Sequence, residues 1–199
     1  MRRPLDAYPT ETAVTRTLLD RVKIGGDVCE PCAGAGLMAD ELISRTSCVW
    51  LNDIDSSHVS HCDFIGDASL ANAGVWKYRN PHRIDLPRHP WHWTVTNPPF
   101  IQAIDILRNA WNNSSVGVAF LLRLTFLEPA GKRSGERGDW LAAHEDQMTN
   151  LITLGQPRPS FTTDGKTDKA TTAWMVWRKD WSWDKMGIER PFQFAMRWK

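Results

Sequence analysis

Apolar residues along the chain follow two patterns that alternate. Val14, Leu18, Leu19 and Val22 share one side of a helix, 37–43 form a second, and Ile101, Ile104, Leu107 and Trp111 repeat at helical spacing, with a further short helix around 140–144. Between them lie short apolar runs that read as buried strands: 27–30, 48–52 ending at Asp53, 63–66 ending near Asp67, 93–96, 116–122, 151–154 and 172–177. Strands alternating with helices predict a largely parallel sheet covered on both faces. Thr10 or Thr12 is placed to N-cap the first helix, with Glu11 at the positive end of its dipole, and Gly25-Gly26 breaks it. The polar segment 68–92 predicts no clear element. Residues 128–138 read as a Gly- and charge-rich loop, and 156–171 separate the last two strands.

Two of the turns carry chemistry. In the first, Gly34-x-Gly36-x-x-Ala39 follows a strand, and Asp53 closes the next strand near the place of a ribose-binding acid. Such glycines let the backbone approach a ligand, and such an acid accepts ribose hydroxyls, a logic that serves NAD and S-adenosylmethionine alike. Glu30 at the strand tip would repel a diphosphate and favour a cationic sulfonium ligand with an ammonium group. The second turn is Asn97-Pro98-Pro99-Phe100, directly after a strand. Two prolines cannot continue a ladder, so the chain turns sharply there. That turn leaves the Asn97 amide, the Pro98 carbonyl and the Phe100 ring around one small space. Two acceptors and an aromatic face suit an exocyclic amine on a planar ring.

The phrase Glu30-Pro31-Cys32-Ala33-Gly34-Ala35-Gly36 resembles motif I of the S-adenosylmethionine-dependent methyltransferases, Asn52-Asp53-Ile54-Asp55 motif II, Gly66-Asp67 motif III, and Asn97-Pro98-Pro99-Phe100 motif IV of the amino-methyltransferases. In this order, and with the stretches 120–128 and 158–168, the chain resembles the small phage and prophage DNA adenine-N6 methyltransferases from about residue 8 to 177. The resemblance implies a Rossmann-like class I methyltransferase fold, with a mostly parallel seven-stranded sheet, an antiparallel last strand and helices on both faces. It implies S-adenosylmethionine as cofactor. Glu30, Gly34 and Gly36 would line its methionine part, and Ala33 and Ile54 would also contact the cofactor. Asp53 would take the ribose hydroxyls, Asp67 the adenine amine and Thr10 the methionine carboxylate. Asn97, Pro98, Pro99 and Phe100 would form the catalytic corner, Asn97 also reaching the cofactor. The implied partner is duplex DNA with the target adenine flipped out. Methylation of RNA, of cytosine N4 or of a protein glutamine amide uses the same polarising logic, and a non-catalytic relative would keep only the binding.

Composition narrows the setting. A chain of 199 residues with 42% hydrophobic and 24% charged content reads as one soluble catalytic domain, 1–199, without a separate target-recognition domain. No run approaches a membrane span and no apolar signal region follows Met1, so the expected place is the cytoplasm. A net charge of +1 leaves nucleic-acid binding to local basic loops. Lys132, Arg133 and Arg137, and Arg158 and Lys166, fall in loops leaving the carboxyl ends of strands, the rim where ligands bind in open α/β sheets. The basic stretch 79–92 leads into the amino end of a strand, on the other rim. The four cysteines lack the paired spacing of a zinc module and are expected to be reduced, structural thiols, with no metal bound. Most of the eleven tryptophans are expected in the core, and the aromatic tail (Trp181, Trp183, Phe192, Phe194, Trp198) over a sheet edge or helix face.

Overall fold

The seven apolar runs are the seven strands of one sheet: β1 (Asp27–Glu30), β2 (Cys48–Asp53), β3 (Phe64–Ile65), β4 (Trp91–Thr96), β5 (Ser114–Arg123), β6 (Met148–Thr153) and β7 (Thr172–Arg178). The protein is described from a computed structural model, over residues 9–78, 91–128, 134–155, 158–159 and 170–192. The strand order is β3-β2-β1-β4-β5-β7-β6. Neighbours from β3 to β5 pair in parallel, while β7 is antiparallel to both β5 and β6. The helices are α1 (Thr12–Leu19), α2 (Leu37–Ile43), α3 (Gly74–Lys77), α4 (Ala103–Asn113), α5 (Ser134–Ala143) and α6 (Trp183–Met186).

Strand alternation divides the core into two layers. Val118, Phe120 and Leu122 of β5 face Ile106, Leu107 and Ala110 of α4 and Trp140 and Leu141 of α5. Ala119 and Leu121 face the opposite layer, with Leu18 of α1 and Met38 and Leu42 of α2. A register shift between Trp91 and Trp93 lets these two tryptophans enter different layers although they lie two residues apart. Trp76, Trp91, Trp93, Trp140, Trp174 and Trp177 are all buried, as expected for core tryptophans.

Several expectations need correction. Neither Thr10 nor Thr12 caps α1; Glu11 holds the N-cap position without a side-chain cap bond. Residues 134–138 are helix, not loop. Burial of Trp140 and Leu141, and an Arg108–Glu136 pair at 3.0 Å, hold α5 together despite Gly135 and Gly138. Strand β3 is only two residues long, β4 starts at Trp91, β5 runs from Ser114 to Arg123, and β6 starts at Met148. In the tail, the Trp183 indole N–H donates to the Met148 carbonyl at 2.9 Å and Phe192 packs on the core, so this part covers the edge at β6. Phe194 and Trp198 lie outside the described residues. No helix among the described residues is long and apolar enough to cross a membrane.

Candidate active site

The carboxyl ends of β1, β2 and β4 converge on a cavity of about 340 Å³. It lies where the strand order reverses between β1 and β4, the switch point at which open α/β sheets bind ligands. Every residue assigned to the cofactor from the sequence lines this cavity except Gly36. Of the catalytic four, Asn97 and Pro99 line it, and Pro98 and Phe100 do not. Gly36 instead makes the turn: at φ 81° it is the N-cap of α2, and its N–H donates to the Ala33 carbonyl at 2.9 Å.

The walls are acidic. Glu30, Asp53, Asp55 and Asp67 line the cavity, and no Lys or Arg does so among the described residues. Glu30 is 2% exposed and its Oε2 has no hydrogen-bond partner among them. Burial, reinforced by Asp53 and Asp40, holds its carboxyl well above the usual carboxylate range. Asp53 grips the glycine turn. Its Oδ2 accepts from the Gly34 N–H and its Oδ1 from the Asp55 N–H, each at 2.8 Å. The Gly34 carbonyl, in turn, accepts from His61 Nε2 at 2.8 Å. Buried Asn52 donates to the carbonyls of Pro31 and Gly66 at 2.9 and 3.0 Å, tying the turn after β1 to the end of β3. Asp67 accepts from the Ser69 N–H and hydroxyl at 2.9 and 2.7 Å, with Gln102 Nε2 beside it at 3.4 Å.

At the corner after β4, Asn97 Nδ2 donates to Thr10 Oγ1 at 3.1 Å, which sets the amide with Oδ1 turned away from Thr10. Thr10 thus anchors Asn97 rather than a helix end. Behind the corner, the Arg123 guanidinium lies over the Phe100 ring, 4.4 Å from its centroid. Sequence reading gave no role to Asn52, His61, Gln102 or Arg123. Each is a common polar residue, and only its distant partner marks it.

The basic loops divide. Lys132, Arg133 and Lys166 lie outside the described residues. Arg158 is half-buried. Arg137 sits 5.2 Å over the Phe126 ring and donates to the Glu128 carbonyl at 3.2 Å, and burial depresses its pKa. Residues 79–90 lie outside the described residues. His92, at the amino end of β4, accepts from the Asp27 N–H at 2.9 Å on the rim opposite Asn97. All four cysteines are free. Burial raises the thiols of Cys29 and Cys32, and that of Cys62 to about 11, so they stay protonated at neutral pH.

No family model matches the chain, and no curated protein matches it. Solved structures do. A Pyrococcus horikoshii protein named as a putative RNA methyltransferase is 17% identical with a TM-score of 0.61, over 89% of this chain and 90% of that one. A dimethyladenosine transferase from Plasmodium falciparum is 13% identical at a TM-score of 0.57, over 86% of this chain and 63% of that one. TrmK of M. capricolum, in complex with the cofactor product S-adenosyl-homocysteine, is 8% identical at 0.53, over 84% and 68%. The fold is that of the Rossmann-like methyltransferases. Within this methyltransferase fold, the acidic cavity and the Asn97 corner occupy the same rim of the sheet.

Proposed function

We propose that the protein transfers a methyl group from S-adenosylmethionine to the N6 amine of adenine in DNA. The observation that carries this reading is the Asn97-Pro98-Pro99-Phe100 corner at the acidic cavity, with its amide oriented by Thr10. The cavity suits the cofactor. A buried carboxyl with an unpartnered oxygen, among further acids and without Lys or Arg, would accept an ammonium and repel a diphosphate. Glu30, Ala33 and Gly34 would hold the methionine part, Thr10 its carboxylate, Asp53 the ribose hydroxyls and Asp67, steadied by Ser69 and Gln102, the adenine amine. When bound, the cofactor supplies an electrophilic methyl group.

The chain's own residues prepare the nucleophile. Adenine N6 is weakly nucleophilic because its lone pair is delocalised into the ring. Asn97 Oδ1 and the Pro98 carbonyl would accept hydrogen bonds from its two N–H groups and draw the nitrogen toward sp³ geometry, so that its lone pair can take the methyl group in line as the S–CH3 bond breaks, one N6 proton then passing to solvent. Positioning supplies most of the acceleration, and no tuned base is needed before attack. Phe100 stacks on the flipped base. The protonated cysteines take no part.

RNA adenine is the second reading, favoured by neighbours named for RNA methylation and adenosine dimethylation. The test is to incubate the purified protein with labelled S-adenosylmethionine and unmethylated DNA, RNA or protein, then identify the modified product by mass spectrometry. N6-methyldeoxyadenosine is the expected product. Asn97→Ala should keep cofactor binding and lose transfer by about 10²-fold or more, the scale of removing one preorganised polar group from a reacting centre. Normal transfer by that variant, or methylated glutamine as the product, would overturn the proposal.

A further inference from the structure

The terminal residue of β5 carries a guanidinium that does not line the cofactor cavity, and it rests on the ring expected to meet the substrate. We infer that Arg123 is a positioning residue for the target base, acting through Phe100 as a cationic backing for its ring. The two partners have different supports. Phe100 lies in the turn after β4, braced by the Gln102 N–H donating to the Pro99 carbonyl at 3.1 Å. Arg123 lies on the sheet itself. It is paired in register with Thr172 of β7, and the next residue, Leu124, donates to the Thr171 carbonyl at 3.0 Å. The guanidinium is therefore carried by a strand end paired to β7, and the ring by a loop. At 4.4 Å from the centroid, the contact ties the loop's aromatic to the rigid element.

The electrostatics of such a stack have a direction. An aromatic face is electron-rich, and so is the face of adenine. A cation on one side of Phe100 draws ring density toward itself and lowers the repulsion that a base meets on the other side. The same contact limits the ring's rotation, so less freedom is lost when a base stacks. Both effects act through Phe100 and vanish without it. Arginine serves better than lysine because its flat, weakly hydrated guanidinium covers the ring.

This inference rests on the proposed adenine reaction, and a double-mutant cycle separates the two. Wild type, Arg123→Met, Phe100→Ala and the double variant are assayed for transfer from labelled S-adenosylmethionine to unmethylated plasmid DNA and to total RNA, with N6-methyladenine read by mass spectrometry. S-adenosylhomocysteine affinity and melting temperature are measured alongside. Arg123→Met should lower kcat/KM by about tenfold with Phe100 present. It should add nothing in the Phe100→Ala background, and should leave cofactor-product affinity unchanged. Arg123→Lys should recover part of the loss. If wild type forms N6-methyladenine and the two losses multiply, or Arg123→Met costs nothing, the positioning role is overturned and the adenine reading stands. If wild type forms none in either nucleic acid, both fall together.

Discussion

Glu30 sets folding against binding within a single side chain. Its carboxyl is almost wholly buried, one oxygen lacks a partner, and Asp53 and Asp40 disfavour its ionised form. Its pKa in the folded chain lies above that in the unfolded chain, so the folded chain retains a proton that the unfolded chain gives up. Stability from this residue is therefore fullest below the unfolded carboxylate value of about 4.3 and declines as pH rises toward the folded value. Glu30→Gln keeps the shape and removes that penalty. By differential scanning it should raise Tm at neutral pH by a few degrees, since about 1 kcal/mol moves Tm by about 2–4 °C in a domain of this size. Calorimetry should show it binding S-adenosylhomocysteine more weakly, because the ammonium loses its counter-charge. A lower Tm would mean that Glu30 is a stabilising acid. The places of Glu30, Asp53 and Asn97 are legible from the apolar runs they close, whereas Asp67 and the role expected of each residue come from the family resemblance. Gln102 and His61 are not legible, because their partners Asp67 and Gly34 lie 35 and 27 residues away.

The glycine turn between β1 and α2 works as a unit, and its two conspicuous glycines do different work. Gly34 presents its peptide to Asp53 on one side and His61 on the other, whereas Gly36 only reverses the chain. Asp53→Ala should weaken S-adenosylhomocysteine binding by about 1.5–3 kcal/mol, the loss of charged hydrogen bonds. Gly36→Ala should instead lower unfolding free energy by about 1–2 kcal/mol in a denaturant titration. Its φ of 81° strains any other residue, although an added Cβ would meet nothing closer than 3.8 Å. Equal effects of both substitutions on binding would return Gly36 to the ligand site. At this scale the sequence marked strands and the main helices by their period, but missed the start of α5. There, glycines at 135 and 138 outweighed the two core residues that follow, and only burial of Trp140 and Leu141 decides for helix.

Across the whole molecule, the sheet brings the cavity, the Asn97 corner and the ends of β5 and β6 to one rim. This agrees with the alternation of strands and helices along the chain, whereas the antiparallel last strand is implied by the family resemblance alone, and its insertion between β5 and β6 is seen only in the structure. Basic residues of the rim loops are the proposed phosphate partners, but Arg137 is engaged by Phe126 and Glu128. Replacing Lys132, Arg133 and Lys166 with alanine should flatten the salt dependence of DNA binding by a slope of about 0.9 for each phosphate no longer neutralised, and Arg137→Ala should add little. An unchanged slope in the triple variant would assign those charges to solvent.

The place of β7 also bears on how the chain is made. Among the described residues, β6 pairs with β7 alone, and the outer edge of the thoroughly buried strand β5 is closed only by β7. During synthesis β5 therefore emerges about fifty residues ahead of the strand that closes it, several seconds at about 5–20 residues per second. For that interval the nascent chain presents an apolar strand with unpaired backbone groups, open to pairing with another chain. Ribosome-bound chains ending before 172 should therefore be the aggregation-prone, chaperone-dependent stage of its birth.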